Sequence, residues 1–243
     1  MGSPYRIAAI YMCYVVIVTK ILPRLIENWK PIDYSKYTFI HVLILYARSF
    51  YFVYNETYLW FFEYNWNCQA CSQPNSLLSI LEVKLAHEFV ISKFIYTVQS
   101  FIVVLSKRTD EYTTYVWIHH SVFPLMLWTC VNYYPGGHTL FIHYINASEH
   151  FCQMSVQMVY LIFSLKSMRK YLKMIYTFMH IIQFLLIMWH SSQLYFLNDC
   201  RIPKLLGLCE ISGILFLAYC YLYYLRKREI GKKARELAAG TMN

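Results

Sequence analysis

Two histidines, His119 and His120, stand side by side in YVWIHHSVFPLMLW (115–128), a run that is otherwise nearly all apolar and aromatic. Imidazole is costly to bury in hydrocarbon, and an ionisable group in such a run is a functional candidate by default. A neutral ring nitrogen there can attack a carbonyl or take up a proton. The pair has company: Lys93 and Gln99 fall in the preceding apolar run, Glu149, His150 and Gln153 in the following one, and His180, Gln183 and His190 in the one after that. Lys93, Tyr96 and Ser100 recur at helical spacing, as do Asn146, His150 and Gln153, and Thr177, His180 and Gln183. Polar stripes of this kind either tie helices together in pairs or converge on an enclosed chamber, and stripes on four consecutive runs favour the chamber. Metal binding is the alternative chemistry. Two or three histidines would suit zinc or iron, but a membrane di-iron centre needs many more ligands. The adjacent Glu149 is about 100° around the helix from His150, so no metal is expected.

The elements that must position these residues are membrane helices. Of 243 residues 58% are hydrophobic and only 14% charged, against roughly 25% charged in a soluble domain. Seven apolar runs, 7–22, 38–54, 85–105, 115–131, 140–163, 172–196 and 205–225, suit helices crossing about 30 Å of hydrocarbon. The alternating ~10-residue segments of a transmembrane barrel are absent. The first run lacks a small-residue cleavage site and is read as a span, not as a removable signal. With seven glycines, seven prolines and no low-complexity stretch, one membrane domain over 1–225 is expected, followed by a basic cytosolic tail over 226–243.

Basic residues cluster after spans one, three and five and in the tail, and the loops after spans two and four have almost none. The positive-inside rule then places the amino terminus outside or in the lumen and the carboxyl terminus in the cytosol. Arg226 to Glu236 alone contributes +4 of the net +9. The basic balance therefore reflects topology and an anionic membrane surface, with no call for nucleic acid. In this topology His119 lies roughly 6–9 Å from the cytosolic side and His150 about 15 Å from the other, so the two rings can meet in the cytosolic half. Cys68, Cys71 and Cys200 fall in the two lumenal loops, where disulfides are permitted, so either Cys68 or Cys71 can bridge to Cys200. The CxxC of Cys68 and Cys71 is otherwise a metal or redox pair, without a second pair in the chain to support it.

The ordered set ILPRLIENWKPIDYSK, ISKFI, HHSVFPLMLW, YYPGGHTLF, NASEH and NDCRIPK resembles the ELO/ELOVL family of very-long-chain fatty acid elongases, particularly its insect-like members, over nearly the whole chain. The resemblance implies an all-α polytopic membrane protein with seven transmembrane helices, six forming an inverted barrel around an acyl-chain tunnel. It implies a 3-oxoacyl-CoA synthase at the endoplasmic reticulum that condenses long-chain acyl-CoA with malonyl-CoA through an acyl-imidazole intermediate. The CoA thioesters are substrates and no cofactor is required. The bilayer is the setting, and other enzymes of the elongation cycle or a second copy of the chain are the protein partners.

By the same resemblance His119, His120 and His150 are catalytic; Lys93, Asn146, Thr177, His180 and Gln183 are substrate-binding; and the loop cysteine that pairs with Cys200 is Cys68. This chain departs from the family's motifs. The first histidine of H-x-x-H-H is Val116; the carboxylates of K-x-x-E-x-x-D-T are Tyr96 and Gln99; and a glutamine of T-x-x-Q-x-x-Q is His180. Those departures open a second expectation, a catalytically impaired paralogue acting as an acyl-CoA-binding or regulatory subunit. A seven-helix receptor shares the topology but lacks any need for histidines on neighbouring spans.

Overall fold

The structure, a computed structural model, describes residues 4–63, 66–68, 72–73, 75–108, 111–163, 169–196 and 202–240. Among these the architecture is all-helical, with seven long helices of a polytopic membrane protein: α1 (Pro4–Val16), α2 (Tyr34–Tyr58), α3 (Leu77–Leu105), α4 (Glu111–Tyr133), α5 (Leu140–Phe163), α6 (Arg169–Phe196) and α7 (Lys204–Gly240).

Local chemistry fixes several ends. Asp33 caps α2, its Oδ1 accepting from Ser35 N at 2.9 Å and Lys36 N at 3.3 Å. Ser76 caps α3 by accepting from Ser79 N. That cap starts α3 at Leu77 rather than at Leu85, because polar Glu82, Lys84, His87 and Glu88 interrupt the apolar run without interrupting the helix. Helix α1 passes through a π turn, Ile17–Ile21, into Leu22–Leu25, where Pro23 supplies no backbone N–H to the Thr19 carbonyl. Pro124 within α4 likewise leaves the carbonyl of His120 without its helical donor, one turn beyond the histidine pair. The basic segment from Arg226 continues α7 as helix to Gly240.

Six helices close a ring: α2 packs on α3, α3 on α4, α4 on α7, α7 on α6, α6 on α5, and α5 back on α2. Helix α1 packs against α4 and α3, where Tyr14 Oη donates to Ser100 Oγ at 2.6 Å. Four helical stretches are long and apolar enough to cross a bilayer by themselves: Tyr5–Leu25, Leu77–Leu105, Met174–Phe196 and Lys204–Gly231. Helices α2, α4 and α5 carry buried polar groups, among them His41, Ser49, Glu56, His119, His120, Asn146 and His150, which lower their mean hydropathy. The pattern is inverted from a soluble bundle. Leu185 is 60% exposed and Tyr219 67%, while Gln183 is 3% exposed. Apolar side chains face outward and polar ones inward, as a lipid surround requires.

Candidate active site

A cavity of about 500 Å3 lies inside the ring. His119 and His120 reach it from α4, His150 and Gln153 from α5, Thr177 and His180 from α6, and Tyr96 and Gln99 from α3. Tyr34, Ser35, Arg108 and Arg228 also line it, so it extends toward the end of the bundle that carries the basic connections.

The catalytic candidates therefore share one chamber. His119, His120 and His150 are each 8% exposed. The His119 ring lies parallel to Phe123 at 5.3 Å, and Tyr115 Oη is 3.5 Å from its Nδ1, one turn away on the same helix. The His150 ring packs on Tyr96 at 4.6 Å, and Tyr96 Oη is 3.0 Å from Ser49 Oγ on α2. His119 and His120 rings are 5.8 Å apart, and His119 and His180 6.5 Å. His180 stacks on Tyr221 at 5.0 Å; Tyr221 Oη in turn lies 3.2 Å from Thr177 Oγ1.

Other expected site residues lie elsewhere. Lys93 is buried one turn along α3 from Tyr96, donating to Asn146 Oδ1, with its ammonium over the rings of Phe89 at 4.0 Å and Tyr96 at 4.5 Å. Lys93, Asn146 and Gln183 do not line the cavity; Lys93 touches its wall only through Tyr96. Gln183 is buried with its Nε2 unpartnered. At the opposite end of the bundle, His138 Nε2 lies 3.3 Å from Glu210 Oε2, Ser191 Oγ donates to the same oxygen at 2.7 Å, and the His138 and His190 rings stack at 4.2 Å. Near that end Cys68 is disulfide-bonded, and its backbone N–H donates to Gln193 Oε1. Cys71 and Cys200 lie outside the described residues.

Sequence reasoning left Glu149 out of the site. Its Oε1 is 2.8 Å from His180 Nδ1, and its Oε2 is 3.4 Å from His150 Nδ1, both off the axis of an aligned hydrogen bond. A carboxylate in a membrane-depth run was the available signal. The helical angle to His150 concealed it, because a glutamate side chain reaches past its own Cβ direction to a neighbouring helix. Among the described residues no group of three His, Cys, Asp or Glu side chains is placed to hold a metal.

A ring of helices with outward apolar faces and a histidine-lined interior cavity defines a membrane protein built for chemistry inside the bilayer. The chain belongs to the ELO (GNS1/SUR4) family, which it matches over residues 1–235. It is similar to very long chain fatty acid elongase 7 of Drosophila melanogaster, at 31% identity over all of this chain and 75% of the relative. It is 32% identical to very long chain fatty acid elongase 1 of Homo sapiens, over 89% of this chain and 78% of the relative. A very long chain fatty acid elongase of Aedes aegypti is 31% identical over 98% of this chain and 67% of the relative. Membership of this family implies a fatty acid elongase's condensing activity.

Proposed function

We propose that this chain is a very-long-chain 3-oxoacyl-CoA synthase that joins a long-chain acyl-CoA to malonyl-CoA in two half-reactions. The supporting observation is that His119 and His150, from different helices, line one cavity sheltered inside the ring. In the first half-reaction a neutral nitrogen of His119 attacks the thioester carbonyl. The C–S bond breaks, its electron pair leaves on the CoA sulfur, and the acyl group stays on the imidazole. Burial shields that acyl-imidazole from water. In the second, malonyl-CoA loses carbon dioxide and the electrons of the broken C–C bond attack the acyl carbon. The imidazole leaves, and 3-oxoacyl-CoA two carbons longer is released. Decarboxylation supplies the carbanion, so no strong base is needed. His150 and His120 complete the imidazole set around the reacting carbon, and Thr177 and His180 contribute to the substrate wall. Lys93, Asn146 and Gln183 support it from behind.

The setting is the endoplasmic reticulum membrane, with a lumenal amino terminus and cytosolic tail; the basic residues Arg108 and Arg228 at the cavity then face cytosolic CoA. Cys68 pairs with Cys200 across the two lumenal loops. Other elongation-cycle enzymes or a second copy of the chain are the protein partners that fit.

One observation favours a second reading, an impaired paralogue that binds acyl-CoA or regulates. Val116 lines the cavity where the family's first box histidine belongs, and it offers no hydrogen bond. Incubation of the purified protein with long-chain acyl-CoA and no malonyl-CoA separates the two. The elongase releases free CoA and carries an acyl group on His119 or His150, with His119→Ala and His150→Ala as the controls that locate it. Malonyl-CoA then yields the extended product. Folded protein that gives no adduct and no CoA across several chain lengths is the impaired paralogue.

A further inference from the structure

Glu149 sits between two histidines of neighbouring helices and uses a different oxygen for each, Oε1 toward His180 and Oε2 toward His150. Both approaches are to Nδ1, and both Nδ1 atoms are excluded from solvent; the His180 ring is also within hydrogen-bond reach of the Tyr176 backbone. Both rings line the cavity. Tyr96 packs on the His150 ring and Tyr221 on the His180 ring, so neither ring turns freely.

An ionised carboxylate only accepts, so it selects whichever ring nitrogen carries hydrogen. We propose that Glu149 is a positioning residue: it accepts the Nδ1–H of both His150 and His180 and so presents the bare Nε2 of each ring to the cavity. The bare nitrogen is the atom able to attack a carbonyl or take up a proton. The pairing also accounts for His180 itself. A glutamine at this position has no second ring nitrogen to offer the cavity, whereas an imidazole held by Glu149 does.

The role in acyl transfer rests on the condensing function proposed above; the tautomers do not, and the two are measured separately. Protein labelled with 15N-histidine and reconstituted in bilayers is examined by solid-state NMR, with His150→Asn and His180→Asn used only to assign resonances. Wild type is expected to show both rings with hydrogen on Nδ1 and none on Nε2. In Glu149→Gln, whose amide has one accepting oxygen, at least one ring moves its hydrogen to Nε2. A wild-type spectrum with hydrogen on Nε2 of either ring overturns the proposal, and it does so whether or not the variant folds. Kinetics provide the second arm. Glu149→Gln slows CoA release at saturating acyl-CoA by ~10–100-fold with KM little changed, and Glu149→Asp recovers part of the loss. Glu149→Gln releasing CoA at the wild-type rate overturns the positioning role. Wild type that releases no CoA refutes the condensing function while the tautomer result stands.

Discussion

Glu149 of α5 and His180 of α6 lie 2.8 Å apart, both almost completely buried, with His150 Nδ1 3.4 Å from the other carboxylate oxygen. Removing one partner of a buried pair strands the other, which costs more than removing both. Glu149→Val and His180→Gln should therefore each destabilise the protein, His180→Gln by less than ~3 kcal/mol because His150 stays beside the carboxylate. The double variant should be more stable than the sum of the single losses. Thermal unfolding of the four proteins in one detergent gives the coupling energy, expected at ~1–3 kcal/mol. Additive losses would mean that the two groups do not interact.

Val116 lines the cavity one helical turn before His119, so a histidine there can reach the ring above it. Val116→His should speed the release of CoA from acyl-CoA in the absence of malonyl-CoA, by up to ~10-fold, by restoring a hydrogen bond that orients His119. The larger ring adds volume to a packed wall, so stability should fall by ~1–3 kcal/mol at the same time. Stopped-flow thiol detection measures the rate. A slower enzyme with unchanged stability would show that His119 is already oriented, with Tyr115 as its partner.

The histidine cavity was legible from residue spacing because an imidazole in an apolar run has few acceptable surroundings. His119, His150, His180 and Thr177 arrived at one wall for that reason. Lys93, Asn146 and Gln183 lie behind the cavity lining, a depth that helical spacing, which gives only a face, does not specify. The aromatic box around Lys93 draws on Phe89 and Tyr96 of α3 and also Phe123 of α4, at 5.4 Å, a combination that no single-helix pattern contains. Seven helices could be counted from the apolar runs, but the closed ring could not be ordered. Helix α4 packs on α7, far away in sequence, and hydropathy carries no record of that choice. Helix α7 also outran its apolar run, because RKREIGKKARELAA is rich in helix-forming residues whatever its charge.

Lys93 is buried inside the bundle, and its Nζ has three aromatic rings within 5.4 Å and one amide oxygen. Lys93→Met keeps the length and removes the charge, leaving Asn146 Oδ1 buried without a donor. The loss of a desolvated cation–π contact and of a buried hydrogen bond predicts ~2–4 kcal/mol lower stability. Lys93→Met with Asn146→Leu should recover part of it by removing the stranded amide. Chemical denaturation in mixed micelles checks both. Unchanged stability of Lys93→Met would show that the ammonium has no net value in this site.

Cys68 is disulfide-bonded, and Cys13, Cys130, Cys152, Cys209 and Cys220 are free thiols. Gln193, near the end of α6, accepts from the Cys68 backbone and donates through Nε2 to the Trp66 carbonyl, so the α2–α3 loop is held against α6 at this point. A bridge from Cys68 to Cys200 would tether that loop covalently to the α6–α7 connection and close a ring of more than 100 residues of chain, a constraint of ~2–4 kcal/mol in typical cases. Cys68→Ser and Cys200→Ser should therefore lower the unfolding temperature equally, the double variant no further, and Cys71→Ser not at all. Peptide mapping without reductant should recover the peptides of Cys68 and Cys200 as one species that separates on reduction. A Cys68–Cys71 linkage would contradict the tether directly: it would make Cys71→Ser as damaging as Cys68→Ser and leave Cys200→Ser silent.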